Sequence, residues 1–148
     1  MLIKYTTKSF EQSQKLGEVF AKEILKSGLQ KGAVVLGLQG NLGGGKTTFL
    51  QGFAKGLGIK QKVLSPTFVI LKRFVVNKRF KNFYHIDCYR LKNEKDILEL
   101  GLKEIISDPK NIVAVEWSER IKKVLPKNSI LIKFKFIDEN KREINFKI

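Results

Sequence analysis

The chain has 148 residues, 43% of them hydrophobic, enough for one domain that buries roughly two-thirds of its unfolded surface. A charged fraction of 29%, eleven Phe, three Pro and twelve Gly exclude a disordered tail, a collagen-like chain and a low-complexity linker. The single cysteine, Cys88, excludes an internal disulfide framework; the longest apolar run, 33–38, is far below the about 20 residues that span a bilayer, and Met1-Leu2-Ile3-Lys4-Tyr5 is no signal peptide, so a cytoplasmic location is expected.

The formal net charge is +15, yet 24 of the 29 basic residues are Lys and only five are Arg, whereas phosphate-reading surfaces favour the planar Arg fork. A compositional bias toward Lys and Ile explains much of the total. The distribution is more informative. No Asp or Glu occurs between Glu23 and Asp87 while eleven Lys and Arg do, so this stretch carries +11 and the remainder +4. A field that one-sided suits an anionic ligand or an acidic partner face, and places a basic surface beside whatever this stretch binds.

Strand and helix patterns alternate without an internal repeat, which predicts a single α/β domain over 1–148. Ser9 with Gln12 makes a capping box, and Phe10, Leu16, Val19, Phe20, Ile24 and Leu25 recur at helical spacing up to Gly28. Residues 33–38, β-branched at Val34 and Val35, predict a buried strand feeding a glycine-rich turn. A second helix is predicted from about Thr47 to Leu57, stopping at Gly58. Two strand-like runs, 69–76 and 80–87, joined through Asn77-Lys78-Arg79, predict a hairpin. Helical signals return over 94–106 and end at Asp108-Pro109, 112–115 reads as a buried strand, and 118–125 is a short amphipathic stretch. Alternation at Ile130, Ile132, Phe134 and Phe136, then Ile144, Phe146 and Ile148, around Asp138-Glu139-Asn140 predicts a closing hairpin.

Between the first predicted strand and the second helix, Gly40-Asn41-Leu42-Gly43-Gly44-Gly45-Lys46-Thr47 fits G-x-x-x-x-G-K-[ST]. The fold expected is therefore a P-loop NTPase with a mixed, mostly parallel central sheet flanked by helices and carrying β-hairpins. Backbone N–H groups across Asn41, Leu42, Gly43, Gly44, Gly45, Lys46, Thr47 and Thr48 would curl around the phosphates of a nucleotide, with the helix N-terminus adding partial positive charge. Lys46 would reach the β- and γ-phosphates and the Thr47 hydroxyl would ligate Mg²⁺. A purely structural glycine turn is the alternative, but two spaced glycines followed by Lys and a hydroxyl should arise by chance in well under ~1% of chains this long.

The metal needs an acid at the end of a neighbouring strand. Glu116 ends the run Ile112-Val113-Ala114-Val115, where a charge is costly unless paired or metal-linked; a strand end emerging into solvent is the alternative. Asp87 ends Phe83-Tyr84-His85-Ile86, with His85 two residues back on the same face. Asp87 suits a metal water or the orientation of an attacking water, or else pairing with Arg90 or His85 to brace the loop. His85, the only histidine, suits a structural or supporting hydrogen bond, and Cys88 an inert buried role. Ser65-Pro66-Thr67-Phe68 suits a loop that senses a γ-phosphate, although a turn at a strand entry would look the same.

The P-loop with Thr48-Phe49, then Ser65-Pro66-Thr67-Phe68, Tyr84-His85-Ile86-Asp87-Cys88-Tyr89-Arg90-Leu91, Glu99-Leu100-Gly101-Leu102 and Val115-Glu116-Trp117 together resemble the TsaE (YjeE) family in motif, order and spacing, over about residues 9–126. That family comprises small bacterial P-loop ATPases required for threonylcarbamoyladenosine formation at position 37 of tRNA. The resemblance implies that Thr47 and Glu116 bind Mg²⁺, that Lys46 and the P-loop backbone hold ATP, and that Asp87 supports hydrolysis. It further implies that Thr67 belongs to a nucleotide-sensitive loop, that Trp117 lies beside the site, and that the partner is a heterodimer of the TsaD and TsaB proteins, through which tRNA is reached indirectly. Asn41 and Cys88 depart from the usual Asp and Leu. Phe10 reads first as a core-packing residue, with stacking on adenine as its alternative. Two other functions stay open at this point: a small-molecule kinase, disfavoured by five unclustered Arg, and a nucleotide-gated module that touches tRNA through its basic half.

Overall fold

Ser9 is extended at φ −157° and its hydroxyl accepts the Gln12 N–H at 3.1 Å, while Gln12 Oε1 accepts the Lys8 N–H at 2.7 Å. The predicted capping box thus closes and starts helix α1, Phe10–Lys26. The computed structural model describes residues 1–41, 45–64 and 71–148. Around α1 the chain forms β1 (Leu2–Thr7), β2 (Val34–Gln39), α2 (Lys46–Gly56), β3 (Leu71–Val75), β4 (Asn82–Asp87), α3 (Glu94–Glu99), α4 (Leu102–Ser107) and β5 (Asn111–Glu116). A 3₁₀ segment, Ser118–Val124, then leads to β6 (Ile130–Phe136) and β7 (Arg142–Lys147). No helix among the described residues is long and apolar enough to cross a membrane.

Seven strands make one sheet in the order β1-β7-β6-β2-β5-β4-β3. The central four, β6, β2, β5 and β4, are parallel, and antiparallel pairing is confined to the edges, β1–β7–β6 on one side and β3–β4 on the other. This is the expected mixed α/β architecture with its two hairpins. β1 is an addition to the predicted elements. It is an edge strand paired only with β7 and mostly exposed, so it needs no apolar alternation to be stable and leaves none to read.

The helix predicted over 94–106 is instead two. Gly101 adopts φ +89°, a left-handed conformation open to glycine without a Cβ penalty, and it separates α3 from α4. The first hairpin strand covers Leu71–Val75, with 69–70 outside the described residues.

Both sheet faces are covered, as a parallel centre requires. Period two divides β5 between two cores: Ile112 and Ala114 join Phe49, Phe53 and Phe83 beneath α1 and α2, whereas Val113 and Val115 join Ile86, Ile97 and Leu102 on the other side. α1 and α2 meet backbone to backbone, since a Cβ on Gly52 would stand 1.8 Å from the Gln14 carbonyl oxygen and one on Gly17 2.2 Å from that of Phe49. This contact seats the N-terminus of α2 at the carboxyl ends of the parallel strands.

Candidate functional site

β2, β4 and β5 run in the same direction, with Leu38 opposite Glu116 and Glu116 opposite Asp87. Their carboxyl ends therefore form one rim. β2 leaves it through Gly40 and Asn41, and α2 begins after Gly45, whose φ of +98° is a left-handed turn that favours glycine. Leu42, Gly43 and Gly44 lie outside the described residues, as does the segment containing Thr67. Thr47 and Thr48 are half-buried in the first turn of α2.

Lys46 is only 6% exposed. Its ammonium donates to the carbonyls of Gly40 and, at 3.3 Å, Asn41, and it lies 4.5 Å from the centre of the Trp117 ring. Burial pushes its pKa below the usual lysine range, opposed by the nearby charges of Glu116, Glu119 and Asp87. The sequence thus places a buried cation beside strand-end acids, with loop carbonyls holding it.

Glu116 is 3% exposed, and its Oε2 lies 2.6 Å from Nε2 of His85, itself 1% exposed. A neutral imidazole makes this bond only with its proton on Nε2, which leaves Nδ1 as an acceptor, and Nδ1 has no partner among the described residues. His85 therefore braces Glu116 on the next strand rather than Asp87 on its own. The alternative of Glu116 emerging into solvent is contradicted by its burial. Asp87 is half-buried, its Oδ1 accepting the Tyr89 N–H at 2.9 Å. Cys88 is fully buried, and desolvation, reinforced by Asp87 and Glu119, pushes its thiol up to about 12, so it is inert as expected.

Trp117 lies beside Lys46, and it is the only non-glycine with positive φ, +58°, among the described residues. That conformation costs about 1–3 kcal/mol and turns the chain sharply out of β5. Tyr89 packs on the Trp117 ring with centroids 5.0 Å apart, and the Arg120 guanidinium sits 5.7 Å from Tyr89 and 5.8 Å from Trp117.

Sequence reasoning did not bring Arg142 to this rim. Because β6 is parallel to β2, the β6–β7 turn lands at the P-loop end, and Arg142 Cγ lies 3.7 Å from where a Cβ on Gly45 would be. No local motif carries that signal; only the strand order does. Phe10 is 55% exposed, so it does not pack in the core. Gln14 abuts Gly52 and Glu18 abuts Gly56, so α1 and α2 run side by side in the same direction, and Phe10 opens α1 at the end toward the start of α2.

The basic stretch between Glu23 and Asp87 does not form a surface beside this rim. Lys46 lies on it and exposed Lys72, opposite His85, stands toward it at the start of β3, while Lys78, Arg79 and Lys81 occupy the β3–β4 turn at the far end of the strands. Antiparallel pairing of β3 with β4 carries that turn away from the P-loop.

No group of three or more His, Cys, Asp and Glu that could hold a metal occurs among the described residues. A strand-end carboxylate at Glu116 and a hydroxyl at Thr47 in the first turn of α2 are hard oxygen donors of the kind that suits Mg²⁺ alongside phosphate and water.

A family model described as threonylcarbamoyl adenosine biosynthesis protein TsaE matches residues 7–144. The tRNA threonylcarbamoyladenosine biosynthesis protein TsaE of Bacillus subtilis (strain 168) is 41% identical over 122 residues, 82% of this chain and 74% of that one. Its counterpart in Treponema pallidum (strain Nichols) is 38% identical over 116 residues, covering 78% and 82%. The crystal structure of Bacillus subtilis YdiB superposes with a TM-score of 0.78 at 33% identity, covering 99% of this chain and 84% of that one.

Proposed function

The chain belongs to the TsaE family of tRNA threonylcarbamoyladenosine biosynthesis, and on that premise we propose that it is a Mg²⁺-dependent P-loop ATPase acting on a heterodimer of the TsaD and TsaB proteins. The observation that carries the reading is the buried Lys46 ammonium on the strand rim that also presents Glu116 and Asp87. An ammonium hydrogen-bonded to loop carbonyls can exchange them for phosphate oxygens, which return a stronger charge-assisted bond.

Asn41, Gly45, Lys46, Thr47 and Thr48 frame the phosphates, completed in sequence by Leu42, Gly43 and Gly44. Thr47 and Glu116 would hold Mg²⁺, which when bound neutralises charge on the phosphate oxygens. His85 fixes the Glu116 carboxylate. Asp87, anchored by the Tyr89 N–H, orients the attacking water. Thr67 reports the γ-phosphate, and Phe10, exposed near the start of α2, stacks on adenine. Trp117 covers the Lys46 side chain and shields it from water.

The product of the pathway is the modified nucleoside at tRNA position 37, reached through the partner complex in the cytoplasm. Calorimetric titration with ATP tests the nucleotide reading: binding that strengthens with Mg²⁺ supports it, and absence of binding at millimolar ATP contradicts it.

A further inference from the structure

The rim opposite the P-loop gathers basic side chains from three separate segments, and we propose that it docks RNA through the phosphate backbone. β4 and β5 begin, and β3 ends, at this rim, with Val75 opposite Asn82 and Asn82 opposite Asn111. The Lys81 N–H donates to the Lys110 carbonyl at 2.8 Å and the Val76 N–H to the Lys81 carbonyl at 2.8 Å. Arg79 Nη1 donates to the Ser27 carbonyl at 3.3 Å, tying the β3–β4 turn to the end of α1. These bonds make one continuous surface.

Lys26, Lys31, Lys78, Arg79, Lys81 and Lys110 are all exposed on it. The acids beside them are Glu23, 3.5 Å from the Lys26 ammonium, and Asp108, whose Oδ1 accepts the Lys110 N–H at 2.9 Å. Six cations thus face two carboxylates. At the P-loop rim, by contrast, the acids Asp87, Glu116 and Glu119 lie near Lys46, with Arg120 and Arg142 close by.

A protein interface is expected to centre on an aromatic or apolar anchor with charge at its margin. Residues 26–31, 76–82 and 108–111 present no exposed aromatic, since Phe80 is fully buried, and Leu29 is their one exposed large apolar side chain, with Val75 at the margin. A surface where six cations outweigh that small apolar area suits a polyanion, bound by release of its counterions. Phosphate contacts fix position without identifying bases, so such a surface would hold RNA without reading its sequence. Strands of six residues set the surface about 15–20 Å from the P-loop rim, so RNA held there leaves the nucleotide site clear. The inference is independent of the nucleotide reading.

Fluorescence anisotropy of a labelled, unmodified tRNA transcript with the full chain, between about 50 and about 200 mM KCl, tests it. The expected result is binding whose log–log salt slope is about −3.5 to −5, as for five or six phosphate contacts. The triple variant Lys78→Glu/Arg79→Glu/Lys81→Glu is expected to weaken binding at least tenfold. The double variant Lys31→Glu/Lys110→Glu, which keeps the Arg79–Ser27 bond, is expected to do the same with unchanged thermal melting. No binding at the lowest salt, or binding that the double variant retains, would overturn the proposal. Preference of the parent chain for labelled polyglutamate over tRNA would also overturn it and assign the surface to an acidic protein.

Discussion

Nε2 of His85 on β4 and Oε2 of Glu116 on β5 stand 2.6 Å apart inside the sheet. The ring supplies a donor to a buried carboxylate, so it both stabilises β5 at the rim and aims the acid. His85→Leu is expected to cost about 1.5–3 kcal/mol of stability, as for a lost hydrogen bond to a charged group, and to raise the Mg²⁺ concentration needed for tight ATP binding. His85→Gln, which retains a donor, should restore part of the Mg²⁺ dependence. Thermal melting with Mg²⁺ titration of ATP binding measures both; a variant that melts lower but keeps the parental Mg²⁺ response would reduce His85 to packing alone.

Lys46→Ala is expected to weaken ATP binding by roughly 10-fold to 150-fold, the equivalent of about 1.5–3 kcal/mol for a charge-assisted bond, in a chain that still folds. Its pH dependence is also fixed in sign. Burial lowers the folded-state pKa of Lys46 below the unfolded value. The cost of the buried charge is present in full while both states are protonated, and it is relieved as pH rises from the folded toward the unfolded value of about 10.4. Stability of the free chain should therefore gain an alkaline contribution that Lys46→Ala removes, as read by denaturant midpoints across that window.

The two carboxylates should separate by role. Glu116→Gln is expected to weaken the Mg²⁺ dependence of ATP binding, because a metal ligand acts on the bound ground state. Asp87→Asn should leave affinity nearly intact and slow hydrolysis, because a water-orienting group acts mainly in the transition state. Paired calorimetry and turnover measurements distinguish them, and the opposite pattern would exchange the assignments.

Gly52→Ala is expected to destabilise the chain by about 1–3 kcal/mol or more, since the added Cβ would meet the Gln14 carbonyl oxygen at 1.8 Å. This overrides the roughly 1 kcal/mol that Ala ordinarily gains over Gly in a helix. Gly28→Ala, with nothing within 4 Å of its new Cβ, is the control and should be nearly neutral by thermal melting.

Features encoded locally were legible in the sequence: the Ser9 capping box, the apolar runs of β2 and β5, the closing hairpin, and the strand-end positions of Asp87 and Glu116. Features that depend on strand order were not. His85 and Asp87 share a face of β4 as their spacing predicts, but that the imidazole meets Glu116 depends on the parallel pairing of β4 with β5. The run of positive charge suggested a basic surface beside the nucleotide; the reversal of β3 against β4 divides it, with Lys72 opposite His85 and the Lys78–Lys81 turn at the far rim. Arg142 reaches Gly45 only because β6 lies beside β2. β1 and the break at Gly101 escaped for a simpler reason: an exposed edge strand has little hydrophobic pattern, and one glycine within a helical pattern is tolerated as often as it interrupts.

Steady-state ATP turnover by the purified chain, alone and with the TsaD–TsaB heterodimer, tests the central claim most directly. A P-loop site needs a charge to neutralise the transferred phosphoryl group, and when that group arrives from a partner it is worth about 10³–10⁵ in rate. Arg90 is exposed and three residues beyond Asp87. The account predicts feeble turnover alone, at least tenfold stimulation by the heterodimer, and loss of both in Lys46→Ala. Full turnover by the isolated chain unchanged by the heterodimer, or undiminished turnover in folded Lys46→Ala, would contradict it.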